Sequence, residues 1–386
     1  MLNIKLKKVF KIIVSQLLYI LVIVKFRFKK KNKSTNKTLL IIKLDAIGDY
    51  VLFRNFLEEI RTSSTYKDYK ITFLGNSVVK DLSETLDKAF VDEFIWIKKR
   101  NVFKNPLSIL KIADLIYNKF NTTIHATYSR EFIGDLLVKL SGSETRIGFY
   151  GDCNNISEKE KNKTNTWYTK LVPIDPKINF EFYKNKSFFS QILNSELIIK
   201  KPYIDLKNLQ ISTPPILPSN FVLLFPGAQQ NFRRWPADKF QSIANYLINK
   251  YNLDIVICGS KSDSALANII NPDDNKRIFD LTGKTSLTQL IFIISKAKLV
   301  ISNDTSGAHI GAALDIPTII LSQFNHYMRF VPYPSEISDK MFCLLPHIFD
   351  TVPQNELIEK FKLGSDVDIS LISIDDVKEA IIKTIL

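Results

Sequence analysis

The 386-residue sequence offers little from which to build a covalent or metal-held framework. Its three cysteines, Cys153, Cys258 and Cys343, stand far apart, and its four histidines are scattered. That spacing argues against a disulfide-stapled fold, fits a reducing compartment, and offers no cluster for a transition metal. The glycine-bearing turn KLDAIGD at residues 43–49 lacks the GxGxxG spacing of a dinucleotide fingerprint and is not a Walker loop. Nothing reads as a nucleophile triad. Acidic residues are missing altogether from residues 1–37, which hold eleven Lys or Arg. Of the net charge of +14, those eleven leave about +3 for the remainder. The body is near neutral, which excludes an extended phosphate-tracking surface and hence a nucleic-acid binder.

What is present is enough hydrophobic sequence, 45% against 24% charged, for a folded soluble body. The length implies two domains. Residues 1–37 form a leader with basic ends and an apolar middle, Ile12–Val24. That middle falls short of the roughly 20 residues of a membrane-spanning helix. No small-residue cleavage site follows it, and the dense Lys/Arg on its far side opposes export. A helix lying on the anionic inner leaflet is expected, which places the protein in the cytoplasm, peripheral on the inner face of the membrane. A helix packed on the protein with a solvated lysine tail, or a short anchor, also suits the pattern.

From residue 38 the chain alternates apolar strands and amphipathic helices, which predicts βα units on parallel sheets. Strands are expected at Leu39–Ile42, YKITFLG, FIWI, TTIHAT and TRIGFYG, with a helix through FIGDLLVKLSG ending at Gly142. Residues 152–170 read as a polar loop, over an active site or merely on the surface, carrying Trp167 and Tyr168. Pro214, Pro215 and Pro218 mark a junction, after which the pattern restarts. The expected division is a leader at 1–37, an N-terminal domain at 38–211, a C-terminal domain at 212–371, and a closing helix at 372–386 begun by Ser373 with Asp376 three residues on.

Three stretches carry chemistry. In ISNDTSGAHIGAALDIPTIIL, 301–321, Asp304 ends a strand, the edge where open α/β sheets bind ligands. Thr305, Ser306 and Gly307 then open a helix whose first-turn N–H groups suit a diphosphate. The same residues also suit a plain N-cap and turn. His309 reads as a structural core histidine. In FPGAQQNFRRWPADKF, 225–240, Arg233 and Arg234 follow a strand and suit a diphosphate, or are solvated charge beside a structural Trp235. KLDAIGD supplies Asp45, Gly48 and Asp49 at a strand-to-helix turn, with Asp49 the candidate general base or a helix cap. Gly283 marks a further turn where Lys284 reaches toward a nucleotide.

Together KLDAIGD, PGAQQNFRRWP and NDTSGAH, with LSGSETRIGF at 140–149, resemble glycosyltransferase family 9, the lipopolysaccharide heptosyltransferase family. The resemblance runs from about residue 38 to the end, and the leader is not a usual feature of the family. It implies the GT-B arrangement, two Rossmann-like domains with the active site in the cleft between them. It implies inverting, metal-independent transfer of a sugar, heptose from ADP-heptose first, to a lipid-linked glycan of the lipopolysaccharide core. No cofactor is implied beyond the nucleotide-sugar donor. By the same resemblance Asp49 is the base, and Arg233 stands where the family has a phosphate-binding lysine. Asp304, Thr305 and Ser306 meet the donor, with Ser306 in place of the usual glycine and Gly307 following, and Asp263 meets the ribose. A different nucleotide sugar or acceptor, or an inactive nucleotide-sugar-binding envelope protein, are the alternatives.

Overall fold

The computed structural model describes residue 20 and residues 36–99, 102, 108–209, 211 and 215–385. The expected membrane-surface helix of the leader lies outside the described residues. Among those described, no helix is long and apolar enough to cross a membrane.

The described chain forms two compact units, one gathering residues up to Ala46, Phe56–Ile178 and Lys184–Leu197, the other Ile47–Asn55, Asn179–Tyr183 and Ile198–Leu386. Each unit is built on a six-stranded parallel sheet with helical crossovers, the α/β class expected and the Rossmann-like pattern of a GT-B protein. In the first unit the strands are β1 (Thr38–Lys43), β2 (Lys70–Asn76), β3 (Glu93–Ile97), β4 (Thr122–His125), β5 (Thr145–Phe149) and β6 (Lys170–Val172), in the spatial order 3-2-1-4-5-6. Leu39–Ile42 of β1 are fully buried, as a central strand covered on both faces requires. Gly142 ends the helix Phe132–Ser141 at φ +66°, a left-handed C-cap that glycine adopts without a Cβ clash.

The second unit repeats the plan with β7 (Phe221–Phe225), β8 (Asp254–Ile257), β9 (Ile278–Asp280), β10 (Leu299–Asn303), β11 (Thr318–Leu321) and β12 (Met341–Leu344), in the order 12-11-10-7-8-9. The order reverses between β7 and β10, and that switch point opens a crevice at the carboxyl ends of the strands. The helix Ala237–Tyr251 lays Phe240, Ile243, Ala244 and Leu247 on the sheet at helical spacing. Trp235, 1% exposed, fixes its entry by donating from Nε1 to the Ile372 carbonyl at 3.0 Å. The Ser373–Asp376 capping box forms as expected, the two residues exchanging backbone N–H bonds of 2.8 and 3.0 Å.

Residues 152–170 depart from the expected loop. They contain a helix, Glu158–Asn165, capped by Ser157, and β6 begins at Lys170. Trp167 and Tyr168 are core residues packed with the helix Phe132–Ser141. The polar composition of the stretch hid two aromatic anchors that turn inward.

Candidate functional site

The site builds up from the switch point of the second sheet. Asn303, the last residue of β10, is fully buried and ties both flanking loops together. Its Nδ2 donates to the Pro226 carbonyl at 2.7 Å, and its Oδ1 accepts from the Trp235 N–H at 3.0 Å. The loop after β7 is thereby pinned against the start of the helix Ser306–Ala313. Arg233 then reaches Asp304, its Nη2 lying 2.5 Å from the backbone carbonyl and 3.0 Å from Oδ2. Arg233 Nε is buried and finds no hydrogen-bond partner among the described residues.

Arg234 turns the other way. Its Nε donates to the Ala228 carbonyl at 2.9 Å, and its Nη2 lies 3.6 Å from Asp263 Oδ1. The Asp263 carboxylate accepts from the Ser260 N–H at 2.8 Å and the Ser260 hydroxyl at 2.6 Å. It also sits so close to Gly227 that a Cβ there would lie 2.5 Å from Oδ2. Asp263 thus binds the loop after β8 to the loop after β7. Lys284 follows β9, directly after the left-handed Gly283, and is exposed, its ammonium donating to the Asp280 carbonyl at 2.7 Å.

Thr305 occupies the N-cap position of the helix Ser306–Ala313, yet its hydroxyl makes no capping bond to the helix. It donates instead to the Asn303 carbonyl at 3.3 Å. Ser306 follows, half-buried, and Gly307 packs on the Phe225 ring, where a Cβ would come within 2.9 Å. The helix start therefore presents small side chains toward the crevice.

The turn KLDAIGD divides between the units. Gly48 and Asp49, on the short helix Ile47–Val51, group with the second. That helix packs on Ser306–Ala313. The His309 ring lies against Gly48, its Cδ2 2.5 Å and its Nε2 3.2 Å from where a Cβ would stand. Burial pushes the His309 imidazole down to about 4, so it is neutral at pH 7, and its Nδ1 shares a 2.6 Å hydrogen bond with the Tyr333 hydroxyl. Asp49 is half-buried in the first turn beside this contact.

Asp45 belongs to the first unit and has another character. Burial would raise its pKa, but the Lys43 and Lys99 ammonium groups and the Lys43 and Thr127 hydrogen bonds outweigh it and hold it at about 2. Lys43 Nζ lies 2.9 Å away and the Thr127 hydroxyl donates at 2.7 Å. A carboxylate so stabilised is a poor base. Asn303, Tyr333, Lys43 and Thr127 went unmarked in the sequence. Asn303 stood directly before Asp304 in the motif, whereas nothing local marked Tyr333, 24 residues from its partner. Among the described residues no group of three or more His, Cys, Asp or Glu is placed to hold a metal ion.

Residues 182–339 match the model of glycosyltransferase family 9 (heptosyltransferase). The chain is 29% identical over 120 residues to lipopolysaccharide heptosyltransferase 3 of Escherichia coli K12, covering 31% of this chain and 35% of the relative. It is 33% identical over 101 residues to lipopolysaccharide heptosyltransferase 2 of Salmonella typhimurium, covering 25% and 29%. The matches thus span about a third of those relatives' length. In fold, the chain resembles the crystal structure of a family 9 glycosyl transferase from Veillonella parvula, with a TM-score of 0.70 at 18% identity over 92% of this chain and 99% of that one. It also resembles E. coli heptosyltransferase WaaC with ADP, with a TM-score of 0.67 at 15% identity over 90% and 99%. Arg233, Asp304, Thr305 and Ser306 all fall inside the segment that matches glycosyltransferase family 9.

Proposed function

We propose that this protein is an inverting glycosyltransferase that moves a heptose from ADP-heptose to a lipopolysaccharide core or a related lipid-linked envelope glycan. The observation that carries the reading is the grouping, within one unit, of Arg233, the uncapped helix start at Thr305–Ser306 and the turn bearing Asp49. The names of the relatives support heptose as the sugar.

In this reading Asp49 accepts the proton of an acceptor hydroxyl as its oxygen attacks the anomeric carbon. The new glycosidic bond forms on the face opposite the breaking bond, and the nucleoside diphosphate leaves with the electron pair. Its added charge meets the Arg233 guanidinium and the N–H groups and dipole of the helix Ser306–Ala313. Those groups let the reaction proceed without a metal, and no cofactor beyond the donor is called for. In this reading Asp304, oriented by Arg233, is assigned to the donor-sugar hydroxyls, and Asp263 and Lys284, in the loops after β8 and β9, are assigned to the nucleotide. The leader supplies attachment to the anionic inner leaflet, where a lipid-linked acceptor resides.

The test is to incubate purified full-length protein with ADP-heptose, UDP-sugars and GDP-sugars and a membrane glycolipid extract, then measure nucleoside diphosphate release. Acceptor-dependent release from ADP-heptose is expected. Release from another donor alone would replace heptose, and no release from any donor would sink the transferase reading.

A further inference from the structure

A depression of about 600 Å³ opens on the second unit and has no part in the chemistry above. Gln230 and Phe232 line it from the loop after β7, and Asn325 and His326 from the loop after β11. Lys360 and Phe361, at the end of the helix Gln354–Phe361, and residues 363–366 complete it. It adjoins the diphosphate arginine directly, because Phe232 precedes Arg233 in the same turn.

The loop after β11 is held in a costly conformation. Phe324, His326 and Met328 adopt left-handed φ values of +67°, +53° and +63°. For side chains of this size the region is unfavourable, and such strain persists only where the surrounding structure over-determines it. A small separate core of Phe324, Tyr327, Leu357 and Phe361 over-determines it. His326 Nδ1 is anchored 3.0 Å from the Lys362 carbonyl. Asn325, between two of these residues, lines the depression and is 9% exposed. Gly364 passes over it at φ +131°, where a Cβ would stand 3.5 Å from the Asn325 Oδ1.

The lining has a definite chemical character. Phe232, 53% exposed, offers a flat apolar face. Gln230 and Asn325 each bring an amide with both donors and an acceptor, and Asp366 brings an acceptor. Lys360 and Asp366 bring one charge of each sign, and the Lys360 ammonium rests over the Phe349 ring at 4.2 Å. A near-neutral pocket with mixed hydrogen-bonding groups and an aromatic platform suits an uncharged polyhydroxylated ring and is ill-suited to a phosphate.

We propose that this pocket is a saccharide subsite, in which a sugar ring lies with its C–H face on Phe232 and its hydroxyls on Gln230, Asn325 and Asp366. The assignment rests on the glycosyl-transfer reading and adds a place for a ring beside the diphosphate seat. The ring belongs to the donor sugar or to the acceptor glycan, which share this chemistry, and the experiment separates them.

Full-length wild type, Phe232→Ala, Phe232→Tyr and Gln230→Ala are compared for the KM of ADP-heptose, the KM of a core glycolipid acceptor and the Kd of ADP. Phe232→Ala is expected to raise one KM about tenfold, the size of one lost ring contact, with Phe232→Tyr restoring it and ADP affinity within about twofold of wild type. A rise in the donor KM assigns the donor sugar, and a rise in the acceptor KM assigns the acceptor. Both KM values unchanged, or ADP affinity falling in step with them, overturns the subsite. If wild type turns over no donor, the transferase reading fails by itself. The subsite is then judged by calorimetric titration of wild type and Phe232→Ala with core oligosaccharide and with ADP-heptose, and equal binding to both proteins overturns it.

Discussion

Arg233 Nη2 lies 3.0 Å from Asp304 Oδ2, so the cation expected on the donor phosphates is already shared with the carboxylate expected on the donor sugar. The pair bridges two loops that meet at the switch point of the second sheet, and Asp304 is 3% exposed. One guanidinium has room for both roles because its fork presents several N–H groups in fixed directions, with Nη2 on Asp304 and Nε without a partner among the described residues. Arg233→Lys is therefore expected to keep the fold but to lower ADP affinity about tenfold, since a single ammonium must choose between partners. Arg233→Ala should lower affinity further and cost about 1–3 kcal/mol of stability by leaving a buried carboxylate without its donor. Calorimetry with ADP and thermal unfolding check both, and undiminished ADP affinity in the alanine variant would remove Arg233 from the donor site.

The two carboxylates of KLDAIGD separate by kinetics and by acid stability. Asp49→Asn should lower kcat by about 10²-fold or more while ADP binding persists, the signature of a lost general base. Asp45→Asn should act on stability instead. Against the effect of burial, the Lys43 and Lys99 ammonium groups hold the folded Asp45 carboxyl at about 2, below its ordinary value of 3.8. Its stabilisation is thus present above pH 4 and is lost as pH falls from there through about 2, amounting to roughly 2 kcal/mol at neutral pH. Wild type should lose stability across that acid window more steeply than Asp45→Asn, as followed by denaturant unfolding between pH 2 and 6. Turnover retained in Asp49→Asn would show that another group takes the proton.

The contact between His309 and Gly48 gives a third test. The His309 imidazole titrates at about 4 when folded and near 6.5 when unfolded, so protonation favours the unfolded chain. Stability from this group is complete above about pH 6.5 and falls as pH drops toward 4. Gly48→Ala forces a Cβ to within 2.5 Å of the His309 ring. It should cost about 1–3 kcal/mol and displace the turn that carries Asp49, lowering kcat more than KM for the donor. Tyr333→Phe removes the partner of His309 Nδ1 and should cost about 1–2 kcal/mol. Thermal unfolding with steady-state kinetics reads both variants, and a Gly48→Ala protein with wild-type kcat would show that the turn tolerates the shift.

Much of this was legible in the sequence where the signal is local. The helix Ala237–Tyr251 carries its own 3.6-residue periodicity, and the closing helix announces itself through Ser373 and Asp376. NDTSGAH and RRWP stood out because small, polar and cationic residues sat at strand ends. What stayed hidden depends on partners distant in sequence. β12 is a four-residue edge strand, half-buried and too short for any period to show. The buried set of His125, Asp135 and Tyr168 draws on three segments, with Tyr168 Oη donating to Asp135 Oδ1 at 2.5 Å and sharing a 2.7 Å bond with His125 Nδ1. Nothing near Tyr168 in the chain foretells those partners. The grouping of residues 47–55 with the second unit is likewise non-local, since it rests on packing against a helix some 255 residues later.

The leader makes the last prediction. Its eleven basic residues, with no acid among them, lie around a 13-residue apolar stretch, Ile12–Val24. Surface attachment by such a segment combines apolar insertion with attraction to anionic lipid, the latter worth about 1 kcal/mol per Lys or Arg near the surface. That attraction is screened as salt rises. Full-length protein should co-sediment with vesicles containing phosphatidylserine or phosphatidylglycerol, and less so with neutral phosphatidylcholine vesicles or at 0.5 M salt. Deleting residues 1–33 should abolish sedimentation, while nucleoside diphosphate release against a detergent-dispersed acceptor persists. Sedimentation that survives high salt and neutral lipid would indicate an inserted apolar anchor instead of surface adsorption, and sedimentation that survives the deletion would move the membrane contact elsewhere on the protein.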